Sequence, residues 1–421
     1  MVITIFGQGF VGLTTALGFA EYGHTVYGVE INPERLATIK SGKLPFLEPG
    51  LDDALVRHLG KRFFPITADE SDLKPAIAQS DAVYYCVGTP YGEDGQADLR
   101  YLFCALDLTL VAVNDDRFRV LVTKSTIPPS TCMKQIIPYL EKKGVRVGES
   151  FGVANNPEFL REGHCWDDFV GADRIVLGVS DNKSEKVLRA IYANQSAPVF
   201  CVSLNTGEFI KYLSNTLLAT LISYSNEMSV IADTIGDIDV ATAFRILHMD
   251  KRWGGCNMAS YAYPGCGYGG YCLPKDTNAL YAVTKCAGFD AEILKNVIRT
   301  NDNMPQFIVN RILKVVNNDK NVKIGILGLS FKPESDDVRD APSAKIIRGL
   351  NAAGCDDIIG YDPVANKEFV KHYPDLQMQM VDTYTELLKQ ADVLVIATAW
   401  KEFANVKVRT DKPVVDCRYM L

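Results

Sequence analysis

The chain has 421 residues, a formal net charge of −7 and a hydrophobic fraction of 47%. That length exceeds what one hydrophobic core usually serves, so two or three domains are expected, and a charged fraction of 23% fits a globular chain rather than a disordered one. The acidic balance argues against nucleic-acid or anionic-membrane binding, and no apolar run reaches the roughly 18 residues of a membrane helix.

In chain order, Val2–Phe6 is an apolar run that enters Gly7. No basic stretch precedes it and no small-residue cleavage site follows, so it reads as a strand and a cytoplasmic protein is expected. A helix to about Tyr22 and a strand at Thr25–Val29 come next, then short apolar runs at Asp81–Val87, Arg119–Thr123 and around Val153–Ala154. Short strands separated by helical stretches predict a parallel sheet in an α/β fold. From Asn205 to about Asp233, Phe209, Tyr212, Leu213, Leu217, Leu221, Tyr224 and Met228 recur at three- and four-residue spacing. This predicts a long helix, capped by Asn205 or Thr206, and helical pattern continues to about Val315. The strand theme restarts at Val322–Leu327 and recurs at Ile358–Tyr361, Val393–Ala397 and Val414–Val415. The expected fold is α/β, with two Rossmann-like doubly wound parallel-sheet domains, residues 1–200 and 316–421. A central helical domain, residues 201–315, joins them and is expected to form a homodimer.

Eleven cysteines are scattered along the chain, with no C-x-x-C pair and no histidines at ligand spacing from them. Reduced, mostly buried thiols and no metal are expected.

Gly7-Gln8-Gly9-Phe10-Val11-Gly12 is a G-x-G-x-x-G between a strand and a helix. Its glycines suit a tight turn, close approach to a pyrophosphate, and close packing of helix on sheet. The helix start then offers free N–H groups to phosphate. Glu30 follows at the end of the second strand, where an acidic side chain binds ribose hydroxyls and repels a 2′-phosphate. NAD is therefore expected over NADP, with Arg35 one helical turn further on. Gly325-Ile326-Leu327-Gly328 lacks the complete fingerprint, so the second sheet is expected to bind a nucleotide without nicotinamide.

The stretch Tyr263-Pro264-Gly265-Cys266-Gly267-Tyr268-Gly269-Gly270-Tyr271-Cys272-Leu273-Pro274-Lys275-Asp276 places a cysteine directly after a glycine-rich loop. A thiol at a loop-to-helix junction, near Lys275, is set up for a lowered pKa and for nucleophilic attack. Glu158 and Glu162 are four apart, as are Lys211 and Asn215, so a helical turn would put each pair on one face.

These motifs, together with Cys86-Val87-Gly88-Thr89-Pro90, Lys124-Ser125-Thr126, Asn156-Pro157-Glu158-Phe159-Leu160-Arg161-Glu162-Gly163, Phe331-Lys332-Pro333 and Asp336-Asp337-Val338-Arg339, occur in order from Met1 to Leu421. The whole chain resembles the UDP-glucose/GDP-mannose dehydrogenase family. The resemblance implies two successive NAD-dependent oxidations of a nucleotide sugar at C6. Cys272 would be the covalent nucleophile, with Lys211 and Asn215 on the oxyanion. Asp276 holding a water, or Lys211 itself, would take the alcohol proton. Glu158 would activate the hydrolytic water, with Thr126 as a route to it. The resemblance further implies Glu30, Arg35, Thr89, Thr126, Glu162, Lys275 and Arg339 as cofactor contacts beside the glycine loop. It implies Glu158, Phe159, Leu160, Lys211, Asn215, Tyr261, Gly269, Lys332 and Arg418 as sugar-nucleotide contacts, with Arg252 reaching over from a neighbouring subunit. The Pro-Glu-Phe-Leu-Arg-Glu form favours a non-acetylated hexose and is shared with GDP-mannose enzymes; the resemblance of the whole chain puts UDP-glucose ahead of GDP-mannose. A one-step hydroxyacid dehydrogenase would need no Cys272, and a silent nucleotide-sugar-binding protein would have no use for Cys272, Lys211, Asn215 and Asp276 together.

Overall fold

The computed structural model describes residues 1–92, 96–113, 115–250 and 261–421. The chain divides into two compact units, Met1–Leu213 and Ser214–Leu421.

The first unit is built on strands β1 (Val2–Phe6), β2 (Thr25–Val29), β3 (Phe63–Ile66), β4 (Ala82–Tyr85), β5 (Arg119–Thr123), β6 (Phe151–Asn155), β7 (Ile175–Val179) and β8 (Val199–Val202). They form one sheet in the order β3-β2-β1-β4-β5-β6-β7-β8. The first six strands of that order run parallel, β7 pairs antiparallel with β6, and β8 runs parallel to β7. Every residue of β4, β5 and β6 is buried. Both sheet faces are covered there, which is why these segments read as apolar runs with no alternation. The chain moves outward from β1 to β3 and then returns to β4 beside β1. That reversal leaves a crevice at the carboxyl ends of β1 and β4, the usual ligand position in such sheets.

The helix Phe10–Glu21 buries Gly12 through Ala20, and Phe19 packs edge-on to Tyr84, Phe169 and Tyr192. The long helix spans Leu204–Ile235. Its cap is Ser203, whose hydroxyl accepts the Thr206 N–H at 3.3 Å, and not Asn205 or Thr206 as the pattern suggested. Those two residues already lie in the first turn, because β8 ends at Val202 and leaves Ser203 as the junction. Glu208, one turn further on, accepts the N–H groups of Ser130 and Cys132 at 2.6 and 2.7 Å.

The second unit holds a five-stranded parallel sheet, β9 (Ile324–Leu327), β10 (Ile358–Tyr361), β11 (Gln379–Met380), β12 (Val393–Ile396) and β13 (Val414–Asp416). The order β11-β10-β9-β12-β13 reverses between β9 and β12, as in the first sheet. Helix Pro342–Ala352 buries Ile346, Ile347 and Leu350 in a core shared with Ile308, Val309 and Ile312 of helix Glu292–Val315. Asp362, just after β10, accepts from the N–H groups of Leu329 and Ser330, the Ser330 hydroxyl and the Trp400 indole. The acidic group at the end of this sheet's second strand is thus engaged by its own glycine turn. Among the described residues no helix is long and apolar enough to cross a membrane.

Candidate active site

In the first unit the glycine turn has steric reasons for its composition. Gly7 has φ +84°, and a Cβ there would stand 2.7 Å from the Cys86 carbonyl oxygen. A Cβ on Gly12 would overlap the Gly7 carbonyl, whereas one on Gly9 would meet nothing within 4 Å. Gly9 therefore faces open space where a diphosphate can approach. Phe10 and Val11 open the helix, which carries no acidic residue in its first turn, so the positive end of its dipole is uncompensated. Glu30 is 4% exposed. Its carboxylate accepts the Gln8 and Asn32 N–H groups at 3.0 and 2.8 Å and pairs with Arg35 at 3.4 Å. The Thr89 hydroxyl donates to the Thr126 carbonyl at 2.9 Å, tying together the loops that leave β4 and β5.

Beside this turn lies a buried charge cluster. Glu158 Oε1 is 2.9 Å from Lys211 Nζ, and Oε2 accepts the Leu160 N–H at 3.0 Å. Burial alone would raise the Glu158 pKa. The Lys211 charge and hydrogen bond, the Leu160 N–H and the Lys124 charge outweigh it and hold the carboxyl below its ordinary value. Phe159 carries Arg174 at 4.1 Å and Lys211 at 5.6 Å over its ring. Lys124, Asn156 and Tyr192 were not singled out from the sequence as site residues. Lys124 Nζ is 2.9 Å from Asn156 Oδ1, which also accepts the Tyr192 hydroxyl at 2.5 Å. Burial brings the Lys124 pKa down to about 8.

The helical turn expected to pair Glu158 with Glu162 is absent. Residues 156–161 are irregular, a turn falls at Glu162–Gly163, and helix Cys165–Val170 begins only afterwards. The buried Glu48 carboxylate accepts the Gly163 and Cys165 N–H groups at 2.9 and 2.7 Å, at the turn where Gly163 has φ +82° and from which the helix starts. Glu158 is thus a buried, paired carboxylate, and Glu162 occupies a half-buried turn.

In the second unit, Cys272 is the exposed first residue of helix Cys272–Cys286, and Pro274 through Thr277 are buried directly behind it. Asp276 has no exposed surface. One of its oxygens lies 2.5 Å from Lys275 Nζ, and the other accepts from Asn215 Nδ2, also at 2.5 Å. Burial pushes the Lys275 pKa down, but the charges of Asp276 and Cys272 prevail and raise it, so the lysine stays cationic. The Tyr271 ring has Arg339 at 4.7 Å and Lys275 at 5.7 Å. Arg339 makes a forked pair with Asp337, and its carbonyl accepts the Gly270 N–H at 3.0 Å. Gly269 packs so closely on Asp340 and Pro342 that a Cβ would collide with both. Arg418 lies against Gly265, where a Cβ would stand 2.5 Å from its guanidinium. Lys332 sits over the Phe331 ring at 5.6 Å, and Tyr261 is half-buried in a turn. Cys266 is buried, with its sulfur 3.7 Å from the Ala397 carbonyl. Arg252 lies outside the described residues. Among the described residues no cluster of His, Cys, Asp and Glu could hold a metal ion.

The glycine turn, open at Gly9, and the buried Glu30 carboxylate beside it have the features of a dinucleotide-binding fold. Three consecutive family segments match in chain order. They are the NAD binding domain of the UDP-glucose/GDP-mannose dehydrogenase family at residues 1–196, its central domain at 205–303 and its UDP binding domain at 325–421. The chain belongs to the UDP-glucose/GDP-mannose dehydrogenase family and is an NAD-dependent nucleotide-sugar dehydrogenase. It is 34% identical over 411 residues to a UDP-glucose 6-dehydrogenase of Haloferax volcanii, covering 96% of this chain and 92% of that one. A UDP-glucose 6-dehydrogenase of Bacillus subtilis is 36% identical over 407 residues, with 96% and 88% covered. In structure it resembles a UDP-glucose dehydrogenase from Pyrobaculum islandicum, with TM-score 0.92, 34% identity and 100% and 94% covered.

Proposed function

We propose that this enzyme oxidises the C6 alcohol of UDP-glucose to the carboxylate of UDP-glucuronate, with Cys272 as the covalent nucleophile. The observation that carries the chemistry is the exposed Cys272 at a helix start, backed by buried Lys275, Asp276 and Asn215. A thiol is superfluous for a single alcohol oxidation, but it holds an aldehyde for a second one. UDP-glucose is favoured by the names of the relatives matched over 96% of the chain, and the Pro157-Glu158-Phe159-Leu160-Arg161-Glu162 sequence supports a non-acetylated hexose.

NAD, when bound, would supply the hydride acceptor for each of the two oxidations. Gly7, Gly9, Phe10, Val11, Gly12, Glu30, Arg35, Thr89, Thr126, Glu162, Lys275 and Arg339 are the residues assigned to hold it. A water held by Asp276, or Lys211 itself, removes the alcohol proton. The Cys272 thiolate then adds to the aldehyde carbon, and the resulting oxyanion of the thiohemiacetal is stabilised by Lys211 and Asn215. The second oxidation yields a thioester. Glu158 takes a proton from water, the water oxygen bonds to the acyl carbon, and the C–S bond breaks to return the thiolate. Phe159, Leu160, Arg252, Tyr261, Gly269, Lys332 and Arg418 bind the sugar nucleotide.

Residues 1–200, 201–315 and 316–421 act as cofactor, connecting and UDP-binding domains of a cytoplasmic homodimer. Support for the dimer comes from Leu217, Tyr224, Ile231 and Ile235, which are exposed at seven-, seven- and four-residue spacing along one helix face. Such an apolar stripe is what a self-associating surface presents.

The test is to count NADH per sugar consumed with UDP-glucose, UDP-galactose, GDP-mannose and UDP-N-acetyl sugars. Two NADH per UDP-glucose, and a kcat/KM for it above all others, is expected. A preference for GDP-mannose would overturn the substrate assignment, and one NADH per sugar would favour a single-step dehydrogenase.

A further inference from the structure

Lys124 is a buried cation that the chemistry above does not use. It follows β5, and Asn156 follows the adjacent parallel β6, where Thr123 is in register with Asn155. The two side chains meet at 2.9 Å, and Asn156 is fixed from two further sides by Tyr192 at 2.5 Å and the Val176 carbonyl at 2.9 Å. The Lys124 ammonium lies 2.9 Å from Asn156 Oδ1 and 3.5 Å from the Asn156 carbonyl oxygen, and neutral oxygens of this kind do not repay burial of a charge. The titratable groups around it are Cys86, Glu158 and Lys211. The Cys86 thiol is pushed up to about 12 by burial and the Tyr192 hydroxyl well above its ordinary value, so both are neutral. Glu158 is the one anion in this group, with Lys211 and Lys124 as its two cations.

We propose that Lys124 is a positioning residue for Glu158, fixing the Asn156–Glu158 segment and keeping the carboxylate anionic while Lys211 is engaged with the reacting sugar. Lys211 pairs with Glu158 and is also assigned to the reacting sugar, where it stabilises the oxyanion and is one of two candidates for taking the alcohol proton, and it cannot serve both partners fully at once. Lys124 supplies the charge that remains when Lys211 turns to the substrate. This role presupposes that Glu158 is the hydrolytic base.

The test is the pH dependence of thioester breakdown, followed by rapid-quench in the full-length enzyme. Lys124→Met should move the acidic limb up by about one pH unit, because loss of a cation favours the protonated carboxyl, while KM for the sugar changes less than about threefold. Asn156→Asp, nearly the same shape, neutralises Lys124 in place and should move the limb the same way. Lys124→Arg, which keeps the charge, should leave it in place. In the ligand-free protein the 13C carboxyl resonance of Glu158, assigned by its absence in Glu158→Gln, should titrate correspondingly higher in Asn156→Asp. If Lys124→Met fails to fold, Asn156→Asp and Lys124→Arg decide the matter. An unmoved limb in Asn156→Asp, with hydrolysis abolished in Glu158→Gln, would overturn the role of Lys124 and leave the base assignment standing. Normal hydrolysis in Glu158→Gln would instead overturn the base assignment, and the role of Lys124 with it.

Discussion

Asp276→Asn removes one charge from the most deeply buried ion pair among the described residues of the second unit. The Lys275 and Asp276 side chains are 4% and 0% exposed, and their charged atoms are 2.5 Å apart. Breaking a buried pair by deleting one partner typically destabilises by about 3–5 kcal/mol. An independent route gives a similar figure. If Lys275 discharges instead, deprotonating at pH 7 a group of ordinary pKa about 10.4 takes roughly 4.6 kcal/mol. The amide retains an oxygen for one of the two donors, so the lower end, about 3 kcal/mol, is expected. The pH dependence between pH 7 and 9 should also change, from flat to rising. In the parent the folded-state pKa of Lys275 is raised. The pair's contribution is therefore complete below the unfolded pKa and is lost only as pH climbs through the folded one. In the variant burial dominates, the folded pKa falls below the unfolded one, and stability should rise with pH above neutrality by up to about 1.4 kcal/mol per unit. Urea unfolding of ligand-free protein at pH 7, 8 and 9 measures both effects. Lys275→Met combined with Asp276→Asn should recover most of the loss, since neither charge remains. A loss under about 1 kcal/mol with the parent's pH slope would show that Lys275 is not held by Asp276, and the logic of this pair would fail.

Gly12→Ala places a methyl group into the Gly7 carbonyl and should raise KM for NAD at least about tenfold while destabilising the first unit by roughly 2–4 kcal/mol, read by steady-state kinetics and urea unfolding. Glu30→Gln should weaken NAD binding and narrow its preference over NADP, because the carboxylate beside Gln8 and Asn32 no longer repels a 2′-phosphate; an unchanged cofactor ratio contradicts this. Leu217→Glu with Tyr224→Glu puts charges on the exposed helix stripe and should shift a homodimer toward monomer in analytical ultracentrifugation, whereas unaltered association would place the interface elsewhere.

The parts of the site that the sequence revealed are those whose constraints are local. Gly7, Gly9 and Gly12 are demanded by a few neighbouring backbone atoms, so their spacing alone conveyed the turn. The same holds for Cys272 at the end of its glycine loop, since the helix start lies within the motif itself. Glu48 shows the opposite case: it sits 115 residues before Gly163, yet its carboxylate holds the turn that follows Glu162. Lys124 escaped for the same reason. A lysine after a strand is ordinarily solvent-exposed, and only Asn156 and Tyr192, brought in by sheet register and a later helix, show it to be buried. Ser203, Asn205 and Thr206 are all capping residues by type, and it is the end of β8 at Val202 that makes Ser203 the cap.

The most direct test of the covalent route is mass spectrometry of the Cys272 peptide after quenching Glu158→Gln during turnover of UDP-glucose with NAD. With oxidation intact and hydrolysis slowed, a UDP-glucuronyl thioester should accumulate on Cys272 and be released by hydroxylamine. Normal release of UDP-glucuronate by Cys272→Ser, with no adduct on Cys272 in Glu158→Gln, would contradict the thiol-bound intermediate.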